Sequence, residues 1–228
     1  MALRAFLGII LFFSVLIVCL LTSVDYVALH DKEFYYSQYQ KNNVYETVSI
    51  NEEDLEKVTD NLINYMKGSI NYLNLIVDIN GTETQFFNSR ELDHMVDVRN
   101  LMMSGKNIRD GAAVAAVISF AALMYLGAGL KSASKYFVFG IPVLSACIAV
   151  LGFIISRDFT TAFNYFHEIF FTNDLWQLDY TRDRLINIVP ESFFIAMALK
   201  IGIIFVLVLF FIWIISLAVF LKKRNKAA

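Results

Sequence analysis

Four stretches of about 20 residues carry almost no charge, and they constrain this chain more than any other feature. They cover residues 5–24, 111–130, 136–155 and 192–221, the last interrupted only by Lys200. About 20 helical residues cross a bilayer core about 30 Å thick, whereas buried strands are far shorter. The chain therefore reads as an α-helical membrane protein with four transmembrane helices. Composition agrees, with 57% hydrophobic and 18% charged residues, against about 45–50% and about 25% in soluble domains. The first apolar run is longer than the core of a signal peptide, and no small-residue cleavage site follows it. It is expected to stay as an anchor.

The net charge of −2 hides a segregation. With four spans, both termini share one side. That side holds Arg4, Lys131, Lys135, Lys222, Lys223, Arg224 and Lys226, and no acidic residue. The segments 25–110 and 156–191 fall on the other side and contain all 21 carboxylates. Basic residues concentrate on cytoplasmic loops. The termini, the tail 222–228 and the loop 131–135 are thus expected in the cytoplasm of a multi-pass protein. Residues 25–110 and 156–191 are then extracellular. Cys19 and Cys147 both lie within spans, which excludes an exported disulfide framework.

Residues 25–110, between the first and second spans, are too many for a simple connector and are expected to form an α+β cap. Asn51 can cap a helix whose first turn carries Glu52, Glu53 and Asp54, next to the positive end of the helix dipole. Leu55, Val58, Leu62 and Tyr65 follow at helical spacing, and Gly68 is a stop signal. Residues 73–79 and 84–87 read as two strands joined at Asn80-Gly81, a two-residue hairpin turn. The same residues form an N-x-T sequon, but the turn accounts for them. A second helix is expected near Asn88, where Asn88-Ser89-Arg90-Glu91 has the form of a capping box. It carries His94 and runs toward the second span. Residues 156–191 form an aromatic segment suited to the membrane surface, with Phe159, Phe163, Tyr165, Phe166, Phe170, Phe171, Trp176 and Tyr180.

Chemistry has few candidates. His30 reads as a surface residue. His94 and His167 each lie near a membrane junction among aromatic and acidic side chains, and imidazole moves protons near neutral pH. Asp97 and Glu91 are three residues either side of His94, so either carboxylate can orient it on a helix. There is no H-E-x-x-H, no G-x-S-x-G, no G-x-G-x-x-G and no P-loop. No metal or nucleic-acid partner is expected. Lys200 reads as a cation snorkelling to the outer headgroups, or as one serving a site there. Uniformly apolar spans argue against a transporter.

Three stretches carry a family resemblance. They are FFNSRELDHMVDVRNL at residues 86–101, FHEIFFTNDLWQL at 166–178, and LDYTRDRLINIVPESFF continuing to Phe194. Their E-x-x-H-M-x-D-V, F-H-E-x-F-F and P-E-x-F-F elements resemble the bacterial lipoprotein intramolecular transacylase family (Lit), mainly of Gram-positive bacteria. Length and hydropathy layout agree over essentially the whole chain. The family pattern often has proline after the aspartate where Tyr180 stands here. The resemblance implies a cell-membrane acyltransferase acting on diacylated lipoproteins. It would move the sn-2 acyl chain of the diacylglyceryl group to the α-amino group of the N-terminal cysteine, giving a lyso-form lipoprotein. No cofactor is implied, and the partners are the lipoprotein and membrane lipid. Two catalytic histidines of the family match His94 and His167. Substrate contacts are expected from Glu91, Asp97, Phe166, Phe170, Asn173, Trp176 and Asp179, with Asn173 near the oxyanion and the aromatics as walls. A non-catalytic membrane partner acting through its cap is the alternative reading.

Overall fold

A computed structural model of the protein describes residues 1–79 and 81–222. The chain runs α1 (Ala2–Leu29), α2 (Lys32–Lys41), α3 (Val44–Thr47), α4 (Glu52–Met66), β1 (Ile76–Ile79), β2 (Thr82–Gln85), α5 (Ser89–Tyr125), α6 (Gly129–Arg157), α7 (Phe159–Phe170), α8 (Arg184–Ile188) and α9 (Glu191–Leu221). Four of these helices, α1, α5, α6 and α9, are long and apolar enough to cross a membrane. The protein is an α-helical, multi-pass membrane protein with a small two-stranded sheet. It divides into two compact units.

One unit comprises residues 1–23, 107–157 and 201–222 and contains the apolar parts of the four long helices. Its core is Leu11, Leu16, Leu123, Phe137, Ile141, Phe205 and Leu209. Large apolar side chains such as Phe13, Val117, Phe153 and Leu207 point outward. A hydrocarbon surround accommodates them, because water is not the solvent there. Helices α1 and α6 approach through reciprocal notches, since Gly8 faces the ring of Tyr136 and Gly140 faces the ring of Phe12. Small residues allow such close approach between membrane helices. Pro142 lies inside α6 and cannot donate to the carbonyl four residues before it. That carbonyl, on Val138, accepts from the Trp213 indole N–H at 3.1 Å. A backbone acceptor otherwise stranded in hydrocarbon is thereby satisfied.

The α5–α6 connection differs from expectation. Residues 131–135 are not a loop, because α6 already begins at Gly129. Gly127 and Gly129 adopt positive φ of 69° and 70°. Glycine enters this left-handed region without a Cβ penalty and so closes the chain within residues 126–128. The Arg4 guanidinium donates to the Leu126 carbonyl at the end of α5. Lys131 and Lys135 therefore sit on the first turns of α6. Of the tail, 223–228 lies outside the described residues.

The second unit comprises residues 24–106 and 158–200. Tyr35, Tyr39, Leu55, Val58, Phe86, Phe87, Ile188 and Phe193 are buried in it. Helix α4 follows its sequence signals. The Asn51 side chain accepts from the Asp54 N–H at 2.8 Å, and Gly68 has φ 77°. The two strands pair antiparallel with Ile79 opposite Thr82, so two residues form the turn. Asn80, the first of them, lies outside the described residues, and with it the sequon. Gly81 has φ 82° and its N–H donates to the Asp78 carboxylate at 2.6 Å. β1 is shorter than expected, and β2 has the expected length but starts two residues earlier. Helices α2 and α3 carry no strong apolar period and had no sequence signal of comparable strength.

Lys200 belongs to this unit. Its ammonium pairs with Asp31 at 2.6 Å and lies 5.1 Å from the Phe34 ring centroid. Asp31 also caps α2 by accepting from Phe34 N–H at 3.0 Å. The cation thus fastens the start of α2 to α9. Neither histidine of the candidate site shares these contacts.

Candidate active site

The site begins at the N-terminus of α5. The Asn88 side chain accepts from Glu91 N–H at 3.1 Å, and the Glu91 carboxylate accepts from Asn88 N–H at 2.7 Å. This is the reciprocal capping box expected there. The other Glu91 oxygen accepts from Leu185 N–H at 2.5 Å, at the start of α8. Asp183 repeats the device, accepting from the Asn88 side-chain amide and from Asp179 N–H, both at 2.7 Å. Glu91 and Asp183 are 1% and 3% exposed. Burial raises the Glu91 pKa, against the opposing pull of the backbone N–H groups. Both Glu91 oxygens are thus engaged by backbone, which fixes the helix that carries His94. Asp179 is likewise a turn residue. Its carboxylate accepts from the Thr181 hydroxyl and N–H, which chiefly hold its pKa down, and it also pairs with Arg182.

One turn along α5, His94 is 7% exposed, and its Nδ1 has no hydrogen-bond partner among the described residues. Burial is the main cause of a pKa pushed down to about 4, helped by His167 and Arg90 and opposed by Asp97. His94 is a neutral imidazole at pH 7.

Helix α7 starts at Asp158, whose side chain accepts from Thr161 N–H at 3.0 Å. Its only buried residue is His167, while Tyr165, Phe166, Ile169 and Phe170 are exposed. The His167 Nδ1 lies 2.7 Å from the Phe163 carbonyl oxygen. A carbonyl only accepts, so Nδ1 carries the proton and Nε2 keeps its lone pair. Burial lowers the His167 pKa, and the carbonyl contact works against that shift.

The two imidazoles meet. Their centroids are 6.2 Å apart at 36°. Trp176 stacks on His167 at 4.7 Å, with Phe163 at 4.2 Å and Phe166 at 5.4 Å. The Phe171 ring lies against both histidines, at 5.4 and 5.5 Å. Beside it an open pocket of about 260 Å³ is lined by Asp97, Asn100, Leu101, Ser104, Phe170, Phe171, Thr172 and Asn173. Asn173 donates to Asp97 at 2.8 Å and accepts from Leu175 N–H at 3.0 Å.

Most residues singled out from the sequence converge here. His94, His167, Phe166 and Trp176 form the ring cluster, while Asp97, Phe170 and Asn173 line the pocket. Glu91 and Asp179 support it from the helix start and the loop. Phe171, one of the aromatics expected as walls, touches both histidines, whereas Asp183, Arg90, Asn100, Ser104 and Thr172 were not singled out from the sequence. Arg90 reaches the Asp174 carbonyl and pairs with its carboxylate at 3.7 Å. Asn100 and Ser104 were detectable, because they follow Asp97 at helical spacing as polar residues just before an apolar run. His30 is a surface residue beside Asp25. Among the described residues, no group of three or more His, Cys, Asp or Glu side chains is placed to hold a metal ion.

The fold and site define a helical membrane protein with a buried, aromatic-walled histidine pair. The family model of the lipoprotein intramolecular transacylase Lit matches residues 9–194. The chain therefore belongs to the Lit family of membrane acyltransferases and is an enzyme of that class. Among solved structures it is similar to the membrane-integral lipoprotein intramolecular transacylase Lit from Bacillus cereus. The TM-score is 0.73 at 19% identity, covering 95% of each chain. Two variants of that protein, with a histidine replaced by arginine or by alanine, are similar at TM-score 0.71 and 19% identity. They cover 95% of this chain and 91% and 93% of theirs. At this identity the likeness establishes the fold. No curated protein matches the chain in sequence.

Proposed function

We propose that the histidine pair catalyses transfer of the sn-2 acyl chain of a diacylglyceryl lipoprotein to the α-amino group of its own N-terminal cysteine. The amine lone pair attacks the ester carbonyl carbon, forming the N–C bond. The bond from that carbon to the glyceryl oxygen then breaks. The nitrogen gives up one proton, and the departing oxygen takes one to leave as an alcohol. A single imidazole can carry that proton from one to the other, and no protein nucleophile is required. The observation that carries this reading is the His94–His167 contact with its tautomer constraint. His167 offers an Nε2 lone pair whose resulting imidazolium is stabilised by the Phe163 carbonyl, so it suits the base. His94 stays neutral and suits a hydrogen-bond donor or acid near the developing oxyanion, as a neutral imidazole can act. The rings around them form a confined setting that favours an oriented attack over the many conformations of a flexible lipid head.

Charge segregation supports cytoplasmic termini and an extracellular site, at the leaflet where such lipoproteins are anchored. His94→Ala and His167→Ala are each expected to lower lyso-lipoprotein formation by about 10²–10⁴-fold. Mass spectrometry of a reporter lipoprotein's N-terminal peptide measures this. Full activity in both variants would sink the proposal.

A further inference from the structure

The pocket beside Phe171 contains a carboxylate that the acyl-transfer step does not use. Asp97 lies on the same face of α5 as His94, three residues on. Among the described residues no Lys or Arg is within ion-pair distance of it, and its one hydrogen-bonded partner is the neutral Asn173 amide at 2.8 Å. That amide is itself held by Leu175 N–H, so the carboxylate is steadied without being neutralised. Asn100, Ser104 and Thr172 add amide and hydroxyl groups around the pocket, and Phe170 and Phe171 close its other wall. At about 260 Å³ it falls below the roughly 300–1,000 Å³ of sites that enclose a whole small ligand. It is therefore suited to one polar end of a larger molecule.

We propose that this pocket is the subsite for the peptide end of the substrate. In it Asp97 receives the α-ammonium, and Asn100, Ser104 and Thr172 meet the first peptide groups beyond the lipidated cysteine. This rests on the transacylase reading for the identity of the substrate, and it adds where the amine waits and what limits the following residue. The chemistry matches. An α-amino group has a pKa near 8 and is mostly an ammonium at pH 7. A fixed carboxylate binds that form through charge-assisted hydrogen bonds. The ammonium then stands one helical turn from His94 and beside the ring that touches both histidines. Asp97 binds the amine and takes no part in breaking the ester; the ammonium passes its extra proton to His167 Nε2, and from there to water, before the neutral amine attacks.

The test uses an unreactive lipopeptide in which the sn-2 ester is replaced by an ether, and a second one that also lacks the α-amine. Binding of each to the full-length protein in detergent is measured by titration calorimetry. The wild type is expected to bind the ammonium form about tenfold tighter. Asp97→Asn should bring that ratio close to one and leave the affinity of the amine-free form unchanged, an effect general destabilisation would not produce. A ratio preserved in Asp97→Asn overturns the proposal. Ser104→Leu is a second check at an exposed position that leaves the carboxylate intact. It should weaken analogues with a bulky second residue several-fold more than those with glycine, and equal binding of both would also overturn it. Because the analogue does not react, binding and turnover fail separately. A protein that yields no lyso-product yet keeps the Asp97-dependent ratio loses the reaction and retains the subsite.

Discussion

At the residue scale, His94 and Glu91 show how one turn of helix divides labour. Glu91 and His94 face the same way, and from sequence either carboxylate flanking the histidine can orient it. In the fold Glu91 satisfies two backbone N–H groups, so Asp97 is the carboxylate left to act on His94 from that face, against Arg90 one turn before it. His94 is left buried, its Nδ1 without a hydrogen-bond partner among the described residues. A folded-state pKa of about 4 against 6.5 has a definite sign for stability. Above pH 6.5 both folded and unfolded chains hold a neutral His94, and its contribution is fully present. Between pH 6.5 and 4 the unfolded chain takes up a proton that the folded chain refuses, so stability falls. The loss from this residue is on the order of 3 kcal/mol. His167 shifts in the same direction. Thermal unfolding in detergent is expected to show a midpoint that drops across this window, with a shallower drop in His94→Gln. An unchanged slope in the variant would contradict the burial argument.

At the element scale, the long helices depend on small compensations that no periodicity reveals. Pro142 removes one hydrogen bond from α6, and Trp213 on α9 supplies the stranded carbonyl. Gly140 admits the Phe12 ring so closely that an added Cβ would lie 2.5 Å from it. Gly140→Val is therefore expected to force α1 and α6 apart. The cost is about 1–3 kcal/mol for overpacking, seen as a lower unfolding midpoint. Gly152→Val, with nothing within 4 Å of its Cβ position, is the control and should show little of this effect. Helix α4 and the start of α5 were readable beforehand, because Asn51 and Asn88 are local caps whose partners lie three residues away. The turn before α6 was not. Two lysines flanking Ser132-Ala133-Ser134 look like a loop until the glycines at 127 and 129 are seen in their left-handed conformations.

At the scale of the whole molecule, the proposed topology rests on charge alone. If the segregation of carboxylates reflects membrane sidedness, a cysteine placed at Glu52 should react with a membrane-impermeant maleimide on intact cells, in a variant whose native cysteines are replaced by serine. A cysteine at Lys131 should react only after permeabilisation. The opposite pattern would invert the orientation and remove the site from the leaflet proposed for its substrate.

The chain's own order of residues determined the number of spans, the acidic character of the segments between them, the capped helices and hairpin, and two histidines worth attention. Each of these is a local pattern, or a count over a window, and needs no partner distant in sequence. Only the tertiary structure decided which of the residues near those histidines have free chemistry. Residues 94 and 167 are far apart in the chain, and nothing local tells that Phe171 lies against both rings. Nor does it tell that Glu91 is consumed by the N–H of Leu185, or that among the described residues Asp97 lies beside a pocket with no cationic partner. Burial and hydrogen-bond satisfaction are properties of what packs around a group. For buried groups that surrounding decides protonation and availability more strongly than residue type does.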